Sequence, residues 1–339
     1  MILLRKLLFP FAILYGLITS LRNYLYDIGV FKSYSFDIPV IAVGNLSVGG
    51  TGKTPQIEYL IRLLSTTYKV ATLSRGYKRK SKGFILANAT SNADILGDEP
   101  FQYYSKFKDI IVAVDADRKN GIENLMRLKD KPEVILLDDA YQHRRVKAGF
   151  YILLTSYDDL YCDDFLLPTG NLRENKSRAK RANVIVVTKC SPTISDDEQL
   201  KIKERIGLNI PIYFSSIDYD SSVYNQNQSL EVLDINNKSK ILLAGIAKPE
   251  PFFNYLRAEN DELLAFPDHH HFSESDILII KNKAKDKIII TTEKDFVRLK
   301  TEILAEQLYY LPIKSKFVNQ QAIFDKTILD YVGTSSRNR

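Results

Sequence analysis

The segment VGNLSVGGTGKTP, Val43–Pro55, narrows what this chain can fold into more than any other stretch. It follows a β-branched apolar run, DIPVIAV, and precedes KTPQIEYLIRLLSTT, where Ile57, Leu60, Ile61 and Leu64 recur at helical spacing. A strand, a glycine loop and a helix in that order form a cradle for an anion. Glycines let the backbone curl so that successive N–H groups converge, and the helix N-terminus adds its partial positive charge. The pattern is one residue away from G-x-x-x-x-G-K-[ST]. Gly52-Lys53-Thr54 closes it, and Ser47 stands where a glycine opens it; a small residue suffices there. Pro55 falls early in the helix, where its missing N–H costs little. Ser47, Val48, Gly49, Gly50, Thr51, Gly52, Lys53 and Thr54 are therefore candidate nucleotide-phosphate contacts. Lys53 would reach the β- and γ-phosphates, and the Thr54 hydroxyl would ligate Mg²⁺. Val48 occupies the place where the deviant ATPases of the cell-division and nitrogenase type carry a second lysine, which argues against that subgroup.

The remaining chain fits this start. YKVATLS, DIIVAVDADR, PEVILLDDA, GFYILLTSY and ANVIVVTKC are apolar runs of strand length separated by helical stretches. Near-continuous apolar strands alternating with helices imply a doubly wound, mostly parallel α/β sheet of P-loop NTPase type, covered on both faces. Ligands in such sheets lie at the carboxyl ends of the strands, and each motif considered below follows a predicted strand. A polar stretch after Pro211, YDSSVYNQNQSLEVLDINNKSK, marks a boundary region. Beyond it KILLAGIAKPEPFFNYL, ELLAFPDHHHF and DKIIITTEKDFVRL repeat the strand–helix scheme on a smaller scale. The expected organisation is an N-terminal helical segment (1–30), a phosphate-loop domain (31–210) and a smaller α/β domain (211–339), with the site in the cleft between the two domains. Whether the C-terminal helix packs back on the first domain is open.

The N-terminus, MILLRKLLFPFAILYGLITSLRNYLYDIG, holds an unbroken apolar run from Leu7 to Ile18. That is too short for the roughly 20 residues that span a bilayer. Arg5 and Lys6 before an apolar stretch suit a signal peptide, but no small-residue cleavage site follows. Beyond Ile18, Leu21, Leu25 and Ile28 recur at helical spacing, and Pro10 should kink or divide the helix. Two readings stand: a segment lying in a membrane surface, or a helix buried against the domain. The net charge of +6 is mild for a nucleic-acid binder, and nucleic acid is not an expected partner. It suits an anionic substrate or lipid surface. Two cysteines, Cys162 and Cys190, outside any C-x-x-C, imply a reduced compartment and no zinc site.

VILLDDAYQH ends an apolar strand in Asp138 and Asp139. A carboxylate pair there is either a plain turn or a metal-holding strand end, and the phosphate loop upstream favours the metal. LGDEP puts Asp98, Glu99 and Pro100 at a helix start; Asp98 is either an N-cap or an acceptor-positioning carboxylate. Basic loops follow three strands: SRGYKRK (Arg75, Lys78, Arg79, Lys80), DADR (Arg118) and PTGNLRENKSRAKR (Arg173 to Arg181). Each alone is ordinary solvated surface, but together they favour an anionic ligand. The four histidines are His143 and His269, His270 and His271 in FPDHHHF. Three adjacent histidines cannot all face one ion, so an acid–base role beside a carboxylate fits better than zinc.

Taken in order, GNLSVGGTGKTP, SRGY, GDEP, DDAYQHR, LPTGNLRE, FPDHHHF and TTEKDFVRL resemble one family, the tetraacyldisaccharide 4′-kinase of lipid A synthesis in Gram-negative bacteria. The set runs from residue 44 to about 299 and is specific as a set. The resemblance implies a P-loop α/β domain joined by a two-stranded linker to a smaller α/β/α domain. It implies transfer of the ATP γ-phosphoryl group to the 4′-hydroxyl of a tetraacylated glucosamine disaccharide 1-phosphate, with Mg²⁺. It also implies an N-terminal segment on the cytoplasmic face of the inner membrane and no obligate protein partner. By the same resemblance Asp98 takes the hydroxyl proton, and His269, with Asp268 beside it, pairs with Asp98 and tunes its charge. Lys53 and Thr54 serve the phosphates and the metal, while Asp138, Asp139 and Glu99 complete the metal set. Arg75, Arg118, His143, Arg173 and Glu174 correspond to polar positions around phosphate and sugar. Closure of the second domain would complete the site and exclude water. Two departures are Ala140, where glycine often follows the Asp pair, and Asn171, where proline is common. The rival reading is a regulatory P-loop NTPase acting through a protein partner. VVTK is faintly similar to a guanine-binding motif, but Ser191 stands where its aspartate should be.

Overall fold

The structure is a computed structural model that describes residues 5, 7–236, 238–268 and 270–337. The chain divides into two compact units, one of residues up to Ile217 together with Ser315 onward, the other Asp218–Lys314.

The first unit opens with helix α1 (Phe9–Asp27). Among the described residues its strands form a nine-stranded sheet in the order β15-β8-β7-β6-β1-β5-β2-β4-β3. These are β1 (Val40–Asn45), β2 (Val70–Ser74), β3 (Ile85–Leu86), β4 (Ile111–Val114), β5 (Val134–Asp138), β6 (Phe150–Ser156), β7 (Val184–Thr188), β8 (Ile212–Tyr219) and β15 (Ile313–Phe317). Strands β4, β2, β5, β1, β6, β7 and β8 run parallel, and the short β3 pairs antiparallel with its neighbour β4. The β15 segment bonds to β8 in the opposite sense, Val318 N–H to the Phe214 carbonyl and Asp220 N–H to the Pro312 carbonyl. Every residue of β1, β2, β5 and β7 is buried, which explains why those strands read as continuous apolar runs.

Helices cover both faces. On one, α2 (Lys53–Leu64) buries Ile57, Leu60, Ile61 and Leu64 against Val43, Leu136 and Ile152. On the other, Ile122 and Leu125 of α4 (Arg118–Met126) meet Ala42, Leu73 and Leu137, and Ile202 and Ile206 of α5 (Asp196–Ile206) meet Leu153, Ile185 and Phe214. In sequence, α3 (Asp98–Lys106) lies between α2 and α4. The C-terminal helix, Gln321–Arg337, belongs to this unit and sinks Phe324, Ile328 and Val332 into the core beside α2.

The second unit carries a six-stranded sheet in the order β10-β9-β14-β13-β11-β12. Its members are β9 (Ser222–Tyr224), β10 (Ser229–Glu231), β11 (Ile241–Ala244), β12 (Glu262–Ala265), β13 (Ile289–Thr292) and β14 (Leu308–Leu311). Four of them are parallel, while β9 pairs antiparallel with β10 and β14. The sequence reading opens this unit at residue 211. Ile212, Tyr213 and Phe214 of β8 are instead buried in the first core, and β8 pairs with β7, so the chain leaves the first unit in β8 and returns in β15.

Pro10 neither kinks nor divides α1. It lies in the first turn, where no helical hydrogen bond is lost. The face α1 turns inward is small and polar: Ala12, Gly16, Thr19 and Asn23. The large apolar side chains point outward, with Phe11 at 61% and Leu17 at 64% exposure. No described helix is long and apolar enough to cross a membrane.

Candidate active site

The phosphate loop spans the end of β1 and the start of α2. Within it only Gly49 (φ 111°) and Gly52 (φ 79°) take the left-handed region, so position 47 does not require glycine. Ser47 is strand-like instead. It bridges antiparallel to Leu172, while Val48 N–H donates to the Asn171 carbonyl (2.8 Å) and Arg173 N–H to the Leu46 carbonyl (2.7 Å). The loop entrance is thus the partner of the strap carrying PTGNLRE. From below, Thr188 at the end of β7 donates to the Thr51 carbonyl at 2.8 Å. Lys53, at the first position of α2, lies 3.4 Å from Asn45 Oδ1 and 3.8 Å from Asp139.

Asp138, the last residue of β5, and Asp139, just after it, sit in opposite environments. Asp138 is buried, and its Oδ2 accepts from both the Ser74 and Tyr103 hydroxyls at 3.3 Å. Burial first, then the charges of Asp139 and Glu99, push its carboxyl up to about 6. Asp139 takes an unusual φ of 47° for a non-glycine residue. Burial would raise its carboxyl, but Lys53 and Arg173 hold it below the ordinary range, with Arg173 Nη1 at 3.1 Å from both oxygens.

Mg²⁺ fits this donor set. Crowded carboxylates, one of them with a raised pKa, lie beside the start of α2, which carries Lys53 and Thr54. The oxygen-only chemistry suits a hard cation. Glu99, Asp138 and Asp139 do not close into a cage, however: among the described residues no three His, Cys, Asp or Glu side chains do so. Asp139 is turned to Arg173 and Lys53.

Asp98 and Glu99 open α3, after Gly97 at the cap position (φ 90°), and no side-chain cap is formed. The N-cap reading of Asp98 therefore does not hold. A Cβ on Gly97 would lie 3.1 Å from Gly76 Cα and from the Tyr77 carbonyl, so GDEP and SRGY meet backbone to backbone. Glu58 of α2 ties the two helices together. It accepts from Gln102 (2.9 Å) and pairs with Lys106 (2.7 Å), both on α3, as well as with Arg62 (2.7 Å).

The other polar positions separate into two groups. Arg75 is exposed at the end of β2, and Arg173 faces Asp139. Arg118 is only 2% exposed and donates to the Asp115 and Asp138 carbonyls at 2.9 and 3.2 Å, latching β4 to β5. Burial pulls it down to about 10, which leaves it charged. Glu174 is fully buried, bound by Arg181 at 2.6 Å and by Asn23 of α1 at 3.1 Å. Arg118 and Glu174 are thus scaffold in this structure, not exposed sugar or phosphate contacts. His143 is half-buried; burial, then the nearby Arg118, holds it down to about 4, so it is neutral at pH 7. In the second unit Asp268 lies 3.8 Å from Lys294. His270 is fixed to Asp276 (3.0 Å) and stacked on Phe266. His269, which the resemblance makes the acid–base histidine, lies outside the described residues.

The family model for tetraacyldisaccharide-1-P 4′-kinase matches residues 4–333. This chain belongs to the tetraacyldisaccharide-1-P 4′-kinase family. Among relatives named tetraacyldisaccharide 4′-kinase, that of Flavobacterium johnsoniae is 66% identical, covering 97% of this chain and 98% of its own length. That of Bacteroides thetaiotaomicron is 44% identical over 99% of this chain and 95% of its own. The crystal structure of LpxK from Aquifex aeolicus in complex with ATP superposes with a TM-score of 0.80 at 31% identity, covering 97% of this chain and 99% of that one. Set against the family's motifs, sequence reasoning missed Asn45, Ser74, Tyr103 and Glu58. The first two end strands at the site, a signal available in the sequence. Tyr103 and Glu58 lie mid-helix among ordinary core positions and carried none.

Proposed function

We propose that this chain transfers the γ-phosphoryl group of ATP to the 4′-hydroxyl of a tetraacylated glucosamine disaccharide 1-phosphate, giving a lipid A precursor, at the cytoplasmic face of the inner membrane. One observation carries the reading. Lys53, Thr54 and Asp138 converge at the strand ends where α3 begins with Asp98 and Glu99, in a chain that belongs to this kinase family. Phosphoryl transfer asks chiefly for alignment and charge neutralisation. The backbone N–H groups of Gly49–Gly52 and the Lys53 ammonium bind the phosphate chain. Thr54 and Asp138 would hold Mg²⁺, with Asp139 and Glu99 nearby; bound there, the ion supplies positive charge against the phosphates. Asp98 orients the acceptor hydroxyl and takes its proton. Arg75 and Arg173 are the remaining cations for phosphate oxygens, and Asp268 and His269 have their roles by the family pattern. The outward apolar face of α1 supports docking on a lipid surface.

The test is purified full-length protein with Mg²⁺, ATP and the acylated disaccharide 1-phosphate in mixed micelles. A bis-phosphorylated lipid is expected, and its absence sinks the reading. ATP hydrolysis stimulated by a protein, without lipid product, would favour the regulatory NTPase. Asp98→Ala should lose turnover by about 10²-fold or more while nucleotide affinity stays unchanged.

A further inference from the structure

The site holds a hydroxyl that the family's motifs do not include. Tyr103 lies in the middle of α3 and is fully buried. Its O–H donates to Asp138 Oδ2 at 3.3 Å. The same carboxylate oxygen accepts from the Ser74 hydroxyl, also at 3.3 Å. Two donors on one oxygen fix the rotation of the carboxylate, so Oδ1 is the oxygen left to meet a cation.

We infer that Tyr103 is a positioning residue for the cation: with Ser74 it fixes the Asp138 carboxylate so that its other oxygen presents lone pairs to one divalent ion. The inference rests on the proposed kinase site, since it takes Thr54 and Asp138 as the metal-holding pair. It also gives α3 a double task, because the helix that begins with Asp98 then sets the geometry of the metal-holding carboxylate. Outer partners of metal-holding side chains typically change affinity by 10–100-fold when removed.

The experiment is Mn²⁺ titration of the full chain with ADP, read by electron paramagnetic resonance, for wild type and Tyr103→Phe. The ring and its packing are retained. Mn²⁺ affinity should fall about tenfold or more. ADP affinity measured in EDTA and the thermal midpoint should stay at wild-type values, and turnover at saturating ATP should recover as Mg²⁺ is raised. Unchanged Mn²⁺ affinity overturns the inference, as does a parallel loss of metal-free ADP affinity, which would mark a merely structural tyrosine. If Tyr103→Phe does not fold, 3-fluorotyrosine at position 103 keeps volume and hydroxyl but donates more strongly to Asp138, drawing charge from the carboxylate that would hold the ion. Its Mn²⁺ affinity should then fall severalfold, and no change overturns the inference. No lipid enters this measurement. Wild type that binds Mn²⁺–ADP but makes no phosphorylated lipid refutes the kinase reading alone; wild type that binds no Mn²⁺ refutes the inference.

Discussion

At the scale of single residues, two motif positions carry measurable consequences for stability. Gly44, in β1, is needed for space and not for its φ. A Cβ there would lie 2.8 Å from Tyr141 Cβ and 2.9 Å from its backbone nitrogen, atoms that cannot swing aside. Gly44→Ala should therefore push β1 away from the turn after Asp139, costing about 2 kcal/mol in a urea titration. Gly49→Ala, by contrast, meets no atom within 4 Å and is strained only by its φ of 111°. His143 gives a pH signature. Its folded-state pKa of about 4 lies below the ordinary 6.5, so the unfolded chain takes up the proton first as pH falls. The stability from a neutral His143 is present above pH 6.5 and is lost toward pH 4. His143→Gln should flatten the acid limb relative to wild type between pH 6.5 and 4.5, by roughly 1 kcal/mol, since the ring is only half-buried. Identical slopes for both proteins would reject the assignment. Asn171 shows how a departure from the family pattern is absorbed locally. Its N–H donates to Asp164 at 3.1 Å, a bond proline could not make, and its carbonyl holds the phosphate loop at Val48.

At the scale of elements, α1 is built inside out. Arg5 binds the Pro168 and Gly170 carbonyls, Tyr15 the Arg173 carbonyl (2.9 Å), and Asn23 the buried Glu174 (3.1 Å), so the strap beside the phosphate loop is also the seat of α1. A polar, small inner face leaves Phe11, Leu14, Leu17, Ile18 and Leu21 outside. Each such side chain gains about 1.5–3 kcal/mol when buried in lipid. Changing Leu14, Leu17 and Leu21 to glutamine should therefore weaken sedimentation with phosphatidylglycerol vesicles by about 10²-fold or more. Thermal stability should hold, because these side chains touch little of the protein. Vesicle binding equal to wild type would remove α1 from the membrane role. The sequence predicted a helix here but not which face packs. Leu21, Leu25 and Ile28 stood out by hydrophobicity, whereas burial followed Gly16 and Asn23. Glycine allowed close approach to Leu166, and the asparagine amide had Glu174 to bind. Propensity and periodicity report apolar surface, and they do not say whether protein or lipid covers it.

For the whole molecule, the doubly wound sheet and the strand-end placement of the motifs were legible because buried parallel strands leave a plain apolar signature. The interruption of the first unit by the second was not, since no local pattern tells which core a distant helix joins. Phe324 is the clearest case. It follows the entire second unit in sequence, yet it is fully buried against Tyr59 of α2, Tyr213 of β8 and Phe317 of β15. Tyr59 also donates to Asp325. The nucleotide-binding core therefore closes only after the last residues fold back on it. Phe324→Ala removes an aromatic from this cluster and should cost about 3–5 kcal/mol. The loss belongs to one unit. In calorimetry of the full chain the transition of the first unit should fall, while that of Asp218–Lys314, whose separate cores lie around Leu242 and Leu243, should hold its midpoint. Bound ADP should raise the first transition alone, because ligand stabilises only the unit that binds it. If both transitions move together in the variant and with ADP, the two units unfold as one, and the division at Ile217 and Ser315 has no thermodynamic meaning.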